Sequence, residues 1–181
     1  IHLINTLMAL AGVEDYNQFQ TAAQVFYQQP LIEFLFVALP LLIHAYVGVV
    51  LLMRKRKKGL TLQWKQRLNS WAGIFLLLVA FGHIAATRGI ALFNDIDTGF
   101  AALSFSIWWM PAYFIPYYFL LFMAGWFHGY NGVARLTNRI NRSVSAMMIR
   151  AKPAVMTLSA VLVAISLLSF AGLRYEIPDP T

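Results

Sequence analysis

Apolar residues run along the chain in four long stretches, 30–53, 68–88, 104–134 and 153–173, separated by polar or basic connections. Each stretch has at least about the 20 residues that a helix needs to cross a hydrocarbon core. A fifth stretch, 1–11, is half that length and starts abruptly at Ile1–His2. No basic leader or cleavage site precedes it, so it reads as the second half of a helix rather than a signal peptide. The pattern predicts an all-α integral membrane bundle of five transmembrane helices, the first N-terminally truncated, forming a single domain over 1–181. The stretch 104–134 is longer than a straight crossing requires. Tilt, or an interfacial first turn around Trp108, Trp109 and Pro111, absorbs the excess. Pro40 and Pro116 fall inside predicted helices, where kinks are tolerated if neighbours re-satisfy the freed carbonyls.

Composition agrees with a membrane class. The chain is 60% hydrophobic and 12% charged, with mean hydropathy +0.64, far from an ordinary soluble domain. The absence of cysteine excludes disulfides, thiolate metal sites, cysteine-held iron–sulfur clusters and covalent haem attachment through C-x-x-C-H.

Charge sets an orientation. Of 14 Lys and Arg, twelve lie in two connections: Arg54, Lys55, Arg56, Lys57, Lys58, Lys65 and Arg67, then Arg135, Arg139, Arg142, Arg150 and Lys152. The seven acids, Glu14, Asp15, Glu33, Asp95, Asp97, Glu176 and Asp179, fall on the opposite side. The positive-inside rule then predicts that 54–67 and 135–152 are cytoplasmic, with the 12–29 and 89–103 loops and the C-terminus outside. The net charge of +7 is therefore a topology signal, and with no recognition motif beside it, nucleic acid is not the partner. Anionic lipid headgroups or a cytoplasmic protein are what such flanking charges meet.

The chain has four histidines, His2, His44, His83 and His128. They are 42, 39 and 45 residues apart, one in each of four successive apolar segments. An ionisable group inside a membrane points to function. Depth pairs His44 with His128 in the inner half and His2 with His83 near the outer surface, joining second helix with fourth and first with third. Four imidazoles paired this way suggest axial ligands for two haem b groups.

Glycines accompany the ligands. Gly48 follows His44 and Gly132 follows His128 by four residues, in H-A-Y-V-G and H-G-Y-N-G, on the same helical face. Gly73, Gly82, Gly125 and Gly129 add further small positions. They leave room either for a porphyrin edge or for ordinary close helix packing. Arg88 and Arg135, beyond His83 and His128, are candidate partners of haem propionates or snorkelling anchors.

The stretch I-E-F-L-F-V-A-L-P-L-L-I-H-A-Y-V-G-V (32–49) resembles the second helix of the cytochrome b subunit of succinate:quinone oxidoreductases, in the single-chain di-haem branch. L-N-S-W-A-G-I-F-L-L-L-V-A-F-G-H (68–83) resembles its third helix and F-H-G-Y-N-G-V-A-R-L (127–136) its fourth haem-binding segment. The similarity covers nearly the whole chain, and the fifth helix of that family, like 153–173, has no ligand. The resemblance implies a membrane anchor and electron conduit of a respiratory complex II of bacterial type, either succinate dehydrogenase of the tricarboxylic acid cycle or fumarate reductase. A flavoprotein carrying FAD and an iron–sulfur subunit would dock on the cytoplasmic basic connections. Electrons would pass through the two haems to or from a quinone, with menaquinone the nearer fit to this branch.

In that family quinone chemistry lies near the outer haem, with a carboxylate exchanging the proton. Glu14, Asp15 and Glu33 are the acids available, with Tyr16, Asn17 and Asn5 as hydrogen-bond partners. Asn69 and Ser70 begin the third helix, where polar groups could serve an inner site. Trp126 stands where some fumarate reductases of the family carry a glutamate linked to proton transfer, so that pathway is not carried over. Two other functions fit the residues: a di-haem quinone cytochrome with different soluble partners, and a haem-free membrane anchor or transporter whose histidines relay protons or pack helices.

Overall fold

A computed structural model describes residues 2–58, 61, 63–94 and 99–176, with the side chains of His2 and Asn94 outside that description. Among the described residues the chain is helical throughout, with no strand. Its helices are α1 (His2–Met8), α2 (Val13–Tyr27), α3 (Pro30–Lys57), α4 (Trp64–Phe93), α5 (Phe100–Trp109), α6 (Pro111–Ile140) and α7 (Arg142–Phe170). Three of them, α3, α4 and α7, are long and apolar enough to cross a membrane. With 30 residues, α6 has the length, but tyrosines, prolines, His128 and Asn131 dilute its apolar character.

Several expected boundaries change. The stretch 104–134 is not one helix: it breaks at Met110, whose φ of −143° and ψ of 70° lie outside the helical region. The residue before a proline is pushed out of that region by the ring, and Pro111 follows. The expected 12–29 loop contains α2. Glu14 and Asp15 lie in its first turn, where the exposed amide dipoles favour acids. Gly12 joins α1 to α2 at φ 155°, a conformation a side chain would strain. The basic connection 135–152 is helical except at Asn141, so the fifth long helix begins at 142 rather than 153. Asn141 is extended, and its side chain accepts from Val144 N at 3.1 Å, capping α7.

Two π-helical segments interrupt the long helices, Glu33–Ala38 in α3 and Ala85–Gly89 in α4. The first lies just before Pro40, whose missing N–H and ring do not suit a tight preceding turn. In the second, Thr87 Oγ1 donates to the carbonyl of His83 at 2.8 Å.

Packing is uneven. At one end Ala9, Tyr16, Phe100, Ile107, Leu167 and Phe170 form a buried knot that ties α1, α2, α5 and α7 together. Tyr16 meets Phe100 and Phe170 edge-on, at 5.6 and 5.3 Å, contacts worth about 0.5–1.5 kcal/mol each beyond burial. The antiparallel pair α6–α7 is closely packed, with Ser145 Oγ donating to the Ala134 carbonyl at 2.9 Å; small residues allow such approach in membranes. By contrast, α3 has no buried residue along its length.

Candidate functional site

The antiparallel helices α4 and α6 meet at two levels, and each level holds a histidine. At the level nearer the basic ends, His128 on α6 turns its ring toward α4, and Nδ1 donates to the carbonyl of Asn69 at 3.2 Å. A carbonyl can only accept, so the proton is on Nδ1 and the lone pair of the neutral ring is on Nε2. One turn after Asn69, Gly73 makes this approach possible. A Cβ there would lie 2.9 Å from His128 Cε1 and 3.3 Å from Nδ1. His44 reaches the same place from α3, its ring centre 5.9 Å from that of His128 and the planes at 86°.

This spacing can be compared with bis-imidazole coordination of one metal. Bonds of about 2 Å on either side, with about 1 Å from nitrogen to ring centre, set the two centres roughly 6 Å apart. Among the described residues no three of His, Cys, Asp and Glu are grouped to hold a metal. His44 and His128 are a pair of imidazoles, and a group that they held would have to bring the rest of its coordination with it, as a macrocycle does. Gly48, Gly129 and Gly132 are exposed, and a Cβ on any of them would meet no other helix within 4 Å, so the protein leaves the side beside these two histidines open. The residues present fit a haem.

At the other level His83 on α4 faces Tyr117 on α6, Nδ1 to Oη 3.3 Å. Tyr113 stacks on Tyr117 at 5.7 Å with planes 13° apart, stiffening the phenol. The expected pairing of His83 with His2 lies outside the described residues, because the His2 side chain is not among them.

The remaining candidates are placed as follows. Glu33 and Arg88, read separately in the sequence, form a two-pronged ion pair between the π-segments of α3 and α4: Arg88 Nε donates to Oε1 and Nη2 to Oε2, both at 2.8 Å. Arg88 Nη1 also donates to Gln28 Oε1 at 3.2 Å. Arg88 is thus held by Glu33 and Gln28, the arrangement that sequence reasoning missed. Glu14 is exposed and accepts from Gln18 Nε2 at 2.8 Å. Tyr16 is in the aromatic knot, Asn17 Oδ1 accepts from Phe100 N at 2.9 Å, and Asn5 Nδ2 donates to Gln20 Oε1 at 3.0 Å. These three tie helices together. Arg135 is exposed, its Nε donating to the Asn131 carbonyl at 3.1 Å. Asn69 Oδ1 and Trp126 Nε1 are buried without a hydrogen-bond partner. Trp108 and Trp109 are exposed, as an interfacial belt requires.

Arg88 is only 24% and Glu33 26% exposed, so breaking the pair strands a charge. Glu33→Gln is expected to cost about 1.5–3 kcal/mol, the range for hydrogen bonds to charged groups. Heating detergent-solubilised protein and following the surviving monodisperse fraction measures it. A midpoint equal to wild type would show the pair to be dispensable.

No protein-family model, curated protein or solved structure gives a significant match to the chain.

Proposed function

We propose that this chain is the membrane anchor and electron conduit of a succinate:quinone oxidoreductase, a di-haem cytochrome b in a bacterial-type cytoplasmic membrane. The observation that carries the reading is the approach of His44 and His128 from separate helices, 5.9 Å between ring centres, with Gly73 clearing the space for one of them. The regular spacing of the four histidines and the resemblance of segments 32–49, 68–83 and 127–136 supply the family. In this reading the five crossings are completed by α6 and by α1, with α5 a short apolar element beside them.

The haems, when bound, supply reversible one-electron transfer; the protein supplies ligation, orientation and electrostatics. His44 and His128 would hold one iron. The Asn69 carbonyl keeps the proton of His128 on Nδ1, leaving the Nε2 lone pair for coordination, and such partners also raise ligand basicity. His83 and His2 would hold the other, with Tyr117 hydrogen-bonded to His83. The basic hairpin 135–152 and the connection 54–67 receive the iron–sulfur and flavoprotein subunits. Quinone would be reduced or oxidised at the opposite end, with Glu33 and Glu14 the carboxylates assigned to exchange its proton.

Purification of the native complex and a reduced-minus-oxidised spectrum, with haem counted per chain, tests the reading. Two b haems that succinate reduces are expected, and a preparation without haem would end it. Within this reading Tyr117→Phe removes the acceptor for His83 Nδ1–H and the ligand becomes less basic. The midpoint potential of the haem held by His83 is expected to rise while the other stays put. Redox titration separates the two, and an unmoved potential would show that the Tyr117 hydroxyl does not tune His83.

A further inference from the structure

The basic ends of α4, α6 and α7 bring together three cations that have no acid to neutralise them. Lys152 on α7 donates from Nζ to Asn131 Oδ1 on α6 at 2.8 Å, and the ammonium stands 4.0 Å over the ring of Phe127. Arg135 Nε donates to the carbonyl of the same Asn131 at 3.1 Å. Lys65 lies one turn before Asn69, whose carbonyl meets His128 at 3.2 Å, and the antiparallel run of α4 and α6 carries it to the level of Asn131. The chain has no acid between residues 34 and 94 or between 98 and 175, so none of these helices offers a counter-charge at this end. Like charges held together in a partly desolvated place repel unless an anion joins them.

The depth of the cluster identifies the anion. Apolar character begins at 68 on α4 and at 153 on α7 and ends at 134 on α6, so Lys65, Lys152 and Arg135 each stand at the boundary of an apolar stretch. That boundary is the headgroup level, where lipid phosphates lie. On the membrane side of the cluster lie exposed apolar side chains, among them Leu68, Trp71 and Val133, a surface for acyl chains. Asn131 and Phe127 fix Lys152 in position, so the site is partly preorganised.

We propose that Lys65, Arg135 and Lys152 form a binding site for the phosphate of an anionic phospholipid in the seam between α4, α6 and α7. The site is independent of haem, since it uses none of the four histidines. It takes only the membrane-facing edge of the connections 54–67 and 135–152, leaving Arg54, Arg56, Arg139, Arg142 and Arg150 to the soluble subunits of the proposed function. Retained lipid would complete the packing of three helices whose basic ends otherwise repel.

Native mass spectrometry of the intact protein, released from phosphatidylcholine nanodiscs with or without phosphatidylglycerol, reads the site directly. Wild type is expected to retain phosphatidylglycerol in preference to phosphatidylcholine. Lys152→Gln should lower that preference roughly fivefold, the worth of one basic residue at an anionic surface, and Lys152→Arg should keep it. Asn131→Asp supplies an internal anion and should abolish retention with the helices intact, which covers the case in which Lys152→Gln fails to fold. Lys57→Gln removes the same charge outside the cluster and should change nothing. Equal losses in Lys57→Gln and Lys152→Gln would reduce the effect to a diffuse field and overturn the site. Unchanged lipid retention in Asn131→Asp, or release of haem by Lys152→Gln with lipid retention intact, would overturn it as well.

Discussion

Replacing His128 by alanine is expected to remove one of two haems per chain and leave the other spectrally intact. His44→Ala should do the same. In the proposed function both rings serve one iron, so the double variant should lose no more haem than either single, a non-additivity that marks residues acting as a unit. His83→Ala should remove the other haem instead, so that combining it with His128→Ala empties the chain. Folding is not the confounder. The dense knot around Tyr16, Phe100 and Phe170 is built from helices other than α3 and uses none of these three histidines. Pyridine haemochrome quantification, with monodispersity checked by size exclusion, decides the matter. Two haems retained in His128→Ala would refute the ligand assignment.

Gly73→Ala is expected to act almost as strongly without touching a ligand. The new methyl would lie 2.9 Å from Cε1 of His128, closer than side chains tolerate. The imidazole must move away from α4, stretching its 3.2 Å bond to the Asn69 carbonyl and shifting Nε2 from where the proposed iron would meet it. Losses of outer-shell support typically cost 10–100-fold in metal affinity; a drop in occupancy of roughly that size is expected at the His44–His128 centre alone. Gly48→Ala provides the contrast. A methyl there meets no protein atom within 4 Å, so any haem it expels reads the edge of the macrocycle rather than protein packing. Occupancy of Gly73→Ala equal to wild type would mean that His128 stands elsewhere in the loaded protein.

The sequence made the helical class and the long apolar segments legible because hydrocarbon-length runs need no partner to be recognised. The meeting of His44 with His128 was also legible, from depth alone. The helix boundaries were not. The break at Met110 depends on a single pre-proline conformation inside an apolar run, which hydropathy passes over. Val13–Tyr27 carries polar residues at seven of its fifteen positions, and only Tyr16 and Gln20 are buried, so its apolar face was too narrow to see. The run 135–152 reads as a loop by charge, yet arginine and lysine are good helix formers and Asn141 alone turns the chain. Glu33 and Arg88 were each singled out, but their pairing needs the register of two π-segments, which no periodicity predicts. The role of Gly73 was hidden for a different reason: a glycine in a membrane helix looks the same whether it admits a neighbouring helix or one imidazole.

The unequal packing of the bundle bears on how the protein is made. A newly inserted chain can draw α1, α2, α5 and α7 together around their aromatic knot, and α6 onto α7, by contacts that lie within the polypeptide. The helix that bears His44 has no buried residue of its own to direct it, and its firm tie is the Glu33–Arg88 clasp at one end. It can therefore swing on that clasp like a door on a single hinge. Under the proposed function, biogenesis would then proceed in two stages, a scaffold that forms first and a fourth wall that closes over the haem, with the late-arriving imidazole acting as the latch.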